Sequence, residues 1–247
     1  MKTSITHKNK TYHLDLSKPL DISMALRFDT TNVNAWSIEP PKSIAEADTV
    51  AEGGVVNFRT LTINPHGHGT HTECVGHISA AFESINSSIK QFFCTALVLT
   101  VTPEVRAMDL VIDQAQLEAH TNVLQEVDAL VIRTLPNPSK KKKKHYSNSN
   151  WAYLTEEAAQ FISAMEIQHL LIDLPSIDKE NDNGQLLAHK AFWNYPTATR
   201  YDTTITELIY VPQEILDGIY VLNLQVAPFE NDAAPSRPVL YQIDESK

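Results

Sequence analysis

A chain of 247 residues, 43% hydrophobic and 20% charged, has ample apolar material for a core, and its length suits one large domain or two small ones. A formal net charge of −10 excludes nucleic acid as the main partner, because phosphate binding requires a basic face. No run approaches the roughly 18 apolar residues of a membrane span, the polar start Met1–Lys10 has no signal-peptide core, and Cys74 and Cys94 are too few for a disulfide framework. The expectation is a cytoplasmic protein with neither nucleic acid nor membrane as a partner.

In chain order, β-branched and apolar runs predict strands at Tyr12–Leu16, Val55–Ile63, Thr95–Val101, Ala129–Arg133, His169–Asp173, Ile205–Tyr210, Ile219–Val226 and Val239–Ile243. Helices are predicted at Asp113–His120, Thr155–Met165 and Gln185–Trp193. Thr155 reads as an N-cap, and Glu156 and Glu157 suit the first turn of a helix. The apolar set Leu154, Ala158, Phe161, Ile162 and Met165 has helical spacing and reads as core packing. The segment Thr30–Asp48, with Trp36, Pro40 and Pro41, reads as a long irregular excursion of the kind that serves as a lid or binding loop. The run Lys140–Lys144 reads as a solvated loop. Helices alternate with strands only in the second half, which predicts a mixed α/β fold with helices packed on a strand-built body.

The chemistry concentrates in one place. His66, His68, His71 and His77 fall within twelve residues, with Glu73 among them, and three of only seven glycines (Gly67, Gly69 and Gly76) share the segment. Imidazole and carboxylate are the usual ligands of zinc and similar divalent ions. Side chains two apart in an extended segment point the same way, so His71 and Glu73 reach one ion together, and His66 or His68 completes three protein ligands. Cys74 reads as a buried structural thiol. Glu207, inside an apolar strand, needs a partner if buried, either a metal or an arginine such as Arg200 or Arg237.

The segment Gly69-Thr70-His71-Thr72-Glu73-Cys74-Val75-Gly76-His77 resembles the signature of the bacterial kynurenine formamidase and cyclase family, His-x-Gly-Thr-His-x-Asp-x-Pro-x-His. Other stretches are similar to the family in the same order: Leu14–Ser17 with Pro19, Val131–Thr134, Trp151–Leu154, Ile172–Asp178, Ala188–Lys190, Ile205–Leu208 and Pro235–Pro238. The resemblance implies a swivelling β/β/α fold, mixed sheet with packed helices, in one domain over residues 1–247. It also implies a homodimer and one or two divalent ions per chain, zinc first and manganese second. By the same carry-over His71 and Glu73 are ligands with Glu73 in the bridging position, His189 and Glu207 hold a second ion, His77 is the general acid/base, and Trp36 lines the substrate pocket.

Three departures stand out. The family's first histidine falls on Gly67, so His66 or His68 must take its place; His66 is expected, with Gly67 absorbing the offset and His68 pointing away. Glu73 replaces an aspartate, and Val75 replaces a proline. The expected activity is hydrolysis of an amide in a small molecule, N-formylkynurenine to kynurenine and formate in tryptophan catabolism. Its rivals are hydrolysis of another cyclic amide, imide or lactone, and a non-catalytic metal-binding scaffold.

Overall fold

The computed structural model describes residues 1–244. The chain opens with strands β1 (Lys2–His7), β2 (Lys10–Asp15) and β3 (Leu20–Asp21), followed by the antiparallel pair β4 (Lys42–Ala45) and β5 (Arg59–Thr62). A short helix α1 (Pro65–His68) leads into β6 (His71–Glu73) and α2 (Ile85–Ser88). The middle carries β7 (Phe93–Val101), β8 (Glu104–Arg106), β9 (Asp109–Ile112), α3 (Gln114–Glu118), α4 (Thr121–Leu124), β10 (Ala129–Thr134) and β11 (Tyr153–Leu154). Then come α5 (Glu156–Ala164), β12 (His169–Ile172), α6 (Leu187–Trp193), β13 (Thr204–Glu207), β14 (Gly218–Asn223), β15 (Ala233–Pro235) and β16 (Val239–Asp244).

Eleven strands form one mixed sheet in the order β1-β2-β16-β14-β7-β10-β12-β13-β6-β15, with β3 also on β16. Its centre, β7-β10-β12-β13, is parallel, and both flanks are antiparallel. The central strands β7, β10 and β12 carry continuous apolar stretches, Ala96–Leu99, Ala129–Ile132 and Leu170–Ile172, because both of their faces are buried. Leu97, Leu130, Leu170 and Ile172 pack with α3, α5 and α6 on one face. Ala96, Val98, Val131 and Leu171 pack on the other with Ile22, Ile85, Ile209 and Val211. Leu240 of β16 and Ala234 of β15 join that second cluster from opposite flanks, so the sheet curves around it. No helix among the described residues is long and apolar enough to cross a membrane.

Each predicted strand and helix has a counterpart, usually a shorter one. Thr155 caps α5 by accepting from the Ala158 N–H at 3.2 Å, a contact worth about 1 kcal/mol. Leu154 is buried as expected but belongs to strand β11, paired with β9. Val55–Ile63 contracts to Arg59–Thr62, whose residues are all exposed. The Thr30–Asp48 excursion is partly fixed: Val33 and Ala35 are fully buried, and Asn34 bridges to His145.

The lysine run departs most from expectation. Ser139–Lys143 forms a 3-10 turn, and Lys141 is buried, its ammonium donating to the Thr134 carbonyl and hydroxyl and to Asp173 Oδ2 at 2.8–2.9 Å. A fully buried carboxylate requires a cation, and Asp173 draws that lysine inward from a run that otherwise stays exposed.

His169 opens β12 in a buried position, its Nδ1 2.9 Å from the Thr204 hydroxyl. Burial pushes its imidazole down to about 4, with Asp128 opposing. Between that value and the ordinary 6.5, the unfolded chain binds a proton that the folded chain refuses. The neutral imidazole's contribution is therefore intact above pH 6.5, shrinks as pH falls, and is lost below pH 4. Urea unfolding at pH 7 and pH 4.5 should show His169→Gln losing about 2–3 kcal/mol less stability than the wild type over that interval; equal losses would show that His169 is not the group being titrated.

Candidate metal centre

Strand β6 sets the geometry of the centre. His71 and Glu73, two apart, project from one face, while Thr72 projects from the other and meets the Thr206 hydroxyl at 2.8 Å. β6 lies between β13 and β15, with His71 opposite Glu207 and Glu73 opposite Ala233. That register brings His71 Nε2 to 3.4 Å from Glu207 Oε2 and 4.0 Å from Glu73 Oε2. His71 Nδ1–H donates to the Gly69 carbonyl at 3.0 Å, which leaves Nε2 as an acceptor turned toward two carboxylates. His71 Nε2 is buried without a hydrogen-bond partner.

His66 and His77 close the opposite side of Glu73. His66, on α1, places Nδ1 3.0 Å from Glu73 Oε2 and Nε2 2.9 Å from Asp232 Oδ2. His77, ending the turn after β6, stacks 4.3 Å from the His66 ring and brings Nδ1 to 3.4 Å from Asp232 Oδ2 and 3.9 Å from Glu73 Oε2. Two glycines let these segments close up. A side chain on Gly67 would meet Ile38 Cδ1 at 2.4 Å and the Ala35 carbonyl at 3.2 Å, and one on Gly76 would meet the Glu83 carbonyl at 2.3 Å. His68 takes no part: it accepts from the Asn64 N–H at 2.8 Å, and its other nitrogen meets the Glu39 carbonyl at 2.7 Å.

The fourth imidazole comes from α6. His189 Nδ1 donates to Asp178 Oδ2 at 2.5 Å, and Nε2 lies 3.0 Å from Glu73 Oε1 and 3.8 Å from Glu207 Oε1. Asp178 also accepts from the backbone N–H groups of Ala188 and His189, so one carboxylate both caps the helix and orients the ring. Glu207 Oε1 accepts from the Ile177 N–H at 2.9 Å. Neither arginine considered for Glu207 reaches it: Arg237 pairs with Asp21, and Arg200 serves Ser163 and the carbonyls of Phe192 and Ile167.

Electrostatics follow from this crowding. Burial opposes charge on His66, but Asp232 and Glu73 outweigh it and push the imidazole up to about 10. Burial likewise opposes charge on Glu73, yet the charge of His77 and the hydrogen bond from His189 hold its carboxyl well below the usual range. His189 is raised well above its ordinary value against its burial, chiefly by Asp178 and Glu73. Asp232 is held low by hydrogen bonds from His66 and His77.

A divalent ion suits this donor set. His66, Glu73 and His77 form one group and His71, Glu73 and Glu207 another, each bringing ligand atoms within 4.8 Å of one another, with Glu73 common to both. His71 Nε2, buried without a hydrogen-bond partner, and Glu73 Oε2, which has only the His66 imidazole beside it at 3.0 Å, are the atoms a cation would satisfy, and the Asp178–His189 pair has the form of a carboxylate-oriented ligand histidine. His66, His71, Glu73, His77, His189 and Glu207 thus converge. Trp36 stands apart from them, 40% exposed and edge-on to Trp151 at 4.8 Å, although its neighbour Ala35 bonds to the Gly67 carbonyl at 3.1 Å.

Sequence reasoning missed Asp178 and Asp232 as site residues. Both lie in the stretches that carry or adjoin the family landmarks, at the end of Ile172–Asp178 and three residues before Pro235. Cys74 is buried in the core beneath the sheet and belongs to neither ligand group.

A mixed sheet brings imidazoles and carboxylates together near one edge in an arrangement that could hold divalent cations. The chain belongs to the Putative cyclase family, whose profile matches residues 14–179. It is 25% identical over 231 residues to the kynurenine formamidase of Bacillus cereus, covering 93% of this chain and 97% of that protein. Its fold is similar to that of a predicted metal-dependent hydrolase from Bacillus stearothermophilus (TM-score 0.65, 19% identity, covering 91% and 98% of the two chains). It is also similar to isatin hydrolase A from Labrenzia aggregata (TM-score 0.66, 13% identity, covering 91% and 93%).

The geometry separates the two neighbouring histidines, and metal analysis of purified variants tests the separation. His66→Ala should bind zinc or manganese at least about tenfold more weakly, whereas His68→Ala should keep its metal and lose thermal stability. Metal loss with His68→Ala and retention with His66→Ala would reverse the assignment.

Proposed function

We propose that the chain is a metal-dependent amide hydrolase of the arylformamidase kind, cleaving N-formylkynurenine to kynurenine and formate. The observation that carries this reading is the sharing of Glu73 between two candidate ligand groups, His71 with Glu207 and His66 with His77; His77 is the most exposed of these and is assigned to proton transfer rather than to the metal. The kynurenine formamidase of Bacillus cereus, similar over nearly the whole chain, supports the substrate class.

In this reading His66, His71, Glu73, His189 and Glu207 hold one or two ions, zinc first and manganese second. A divalent ion held there supplies Lewis acidity, bringing the pKa of water toward neutrality and polarising a carbonyl. Glu73 and Glu207 fix the negative charge that keeps the cations in place. Asp178 holds His189, and the Gly69 carbonyl holds His71, each in the tautomer whose free nitrogen faces the carboxylates. His77 moves the proton. With its Nδ1 toward Asp232 and its ring 30% exposed, it is positioned to protonate the departing nitrogen as the C–N bond breaks. Asp232, 3.4 Å from that nitrogen, orients the imidazole. Trp36 stands apart from the ligands, on the loop whose Ala35 and Ile38 pack over Gly67, and in this reading would meet the aromatic ring of the substrate only at the outer edge of the site.

The role of His77 has a specific kinetic signature. A proton donor matters most when the leaving group is a poor one, and an activated ester departs without it. His77→Ala should keep its metal, lose roughly two to four orders of magnitude in kcat/KM on N-formylkynurenine, and lose much less on a nitrophenyl ester. Isatin, assayed alongside, separates an open-chain formamide preference from a cyclic one. Equal, mild losses on amide and ester would show that His77 merely packs, and release of metal from the variant would show that it is a ligand; either result overturns its role as proton donor.

A further inference from the structure

A second cavity lies away from the metal centre, and none of the ligand residues lines it. Its volume of about 620 Å³ falls inside the roughly 300–1,000 Å³ range of small-molecule sites. It opens beyond Thr134, the last residue of β10, and Leu174, two residues past the end of β12. These are the carboxyl ends of adjacent parallel strands, where open α/β sheets place ligands. Trp151 and Leu174 supply apolar walls, and Lys140, Lys143 and Lys144 come from the lysine turn.

Three features of this cavity are unexplained by folding alone. First, Lys140, Lys143 and Lys144 make no salt bridge among the described residues, in a chain whose net charge is −10, while Lys141 is already committed to Asp173. Second, Lys144 lies over the Tyr146 ring, its Nζ 4.5 Å from the centroid, so a cation is held against the aromatic wall. Third, the Tyr146 and Ser149 hydroxyls, both on residues that line the cavity, are buried without a hydrogen-bond partner, a state that is costly to leave unsatisfied.

We infer that this cavity is a binding site for a small aromatic carboxylate, its ring against Trp151 and Leu174 and its anionic group toward Lys140, Lys143 and Lys144. The Tyr146 and Ser149 hydroxyls, closed off from solvent as the residues stand, gain a partner by turning toward the bound anion. Burial and the nearby charges of Lys141 and Lys140 lower the Lys144 ammonium from its ordinary value, and an anion in the cavity relieves that repulsion. The inference stands on the cavity and does not depend on the amide-hydrolase reading.

The test is calorimetric titration of the purified chain with 2-naphthoate and with 2-naphthamide, which keeps the shape and loses the charge. One site per chain is expected, with the amide binding at least about tenfold more weakly. The triple variant Lys140→Gln, Lys143→Gln, Lys144→Gln, all at exposed positions, should weaken 2-naphthoate by at least about tenfold at unchanged Tm, and Tyr146→Phe should weaken it by a smaller factor. His66→Ala should bind 2-naphthoate as the wild type does. Equal binding of acid and amide, full affinity in the triple variant, or no heat at millimolar ligand would overturn the inference. Loss of binding in His66→Ala would place the carboxylate at the metal centre instead.

Discussion

Glu73 is a carboxylate with no exposure to water, set among the imidazoles of His66, His77 and His189. A buried anion of this kind is tolerated only when positive charge is brought to it from several directions. The chain does so from separate elements: α1 brings His66, the turn after β6 brings His77, and α6 brings His189. The sheet holds those elements in place. β6 is clamped between β13 and β15, so the ladder that orients Glu73 also presents Glu207 on one side and begins just after Asp232 on the other. Four carboxylates and four imidazoles are packed so closely that each constrains the next, and removing any one leaves a buried charge without its counterpart.

The helix-poor first half follows from the same demand. The centre needs extended backbone to set residues two apart on one face, and short irregular segments to carry the histidines over it. Glycine at 67 and 76 lets those segments approach within contact of Ile38, Ala35 and Glu83. The second half supplies the parallel strands and helices, and α6 reaches across to hold His189 through Asp178.

Much of this was legible in the sequence, for local reasons. The central strands are continuous apolar runs because both faces are covered, so β7, β10 and β12 were readable from composition alone. The Thr155 cap was readable because its bond is made within one turn. The cluster from His66 to His77 declared itself by density. What was not legible depends on pairing across the chain. β6 has three residues and no periodicity, and only its neighbours β13 and β15 define it as a strand. Asp232 lies 166 residues from the His66 it touches, and no spacing rule links them. The lysine run misled for a similar reason: five like charges signal solvent, and only Asp173, from another strand, explains why Lys141 turns inward.

Gly67 is the position at which the sequence resemblance expects a histidine, and here the Ala35–Ile38 loop fills the space a side chain would occupy. The histidine at 66 and the overlying loop are therefore interdependent. Gly67→His would drive a ring toward Ile38 and the Ala35 backbone, and shortening the loop alone would leave Gly67 uncovered beside the imidazole at 66. Moving the histidine by one position thus demands a change in the loop as well: the two features can be exchanged only together.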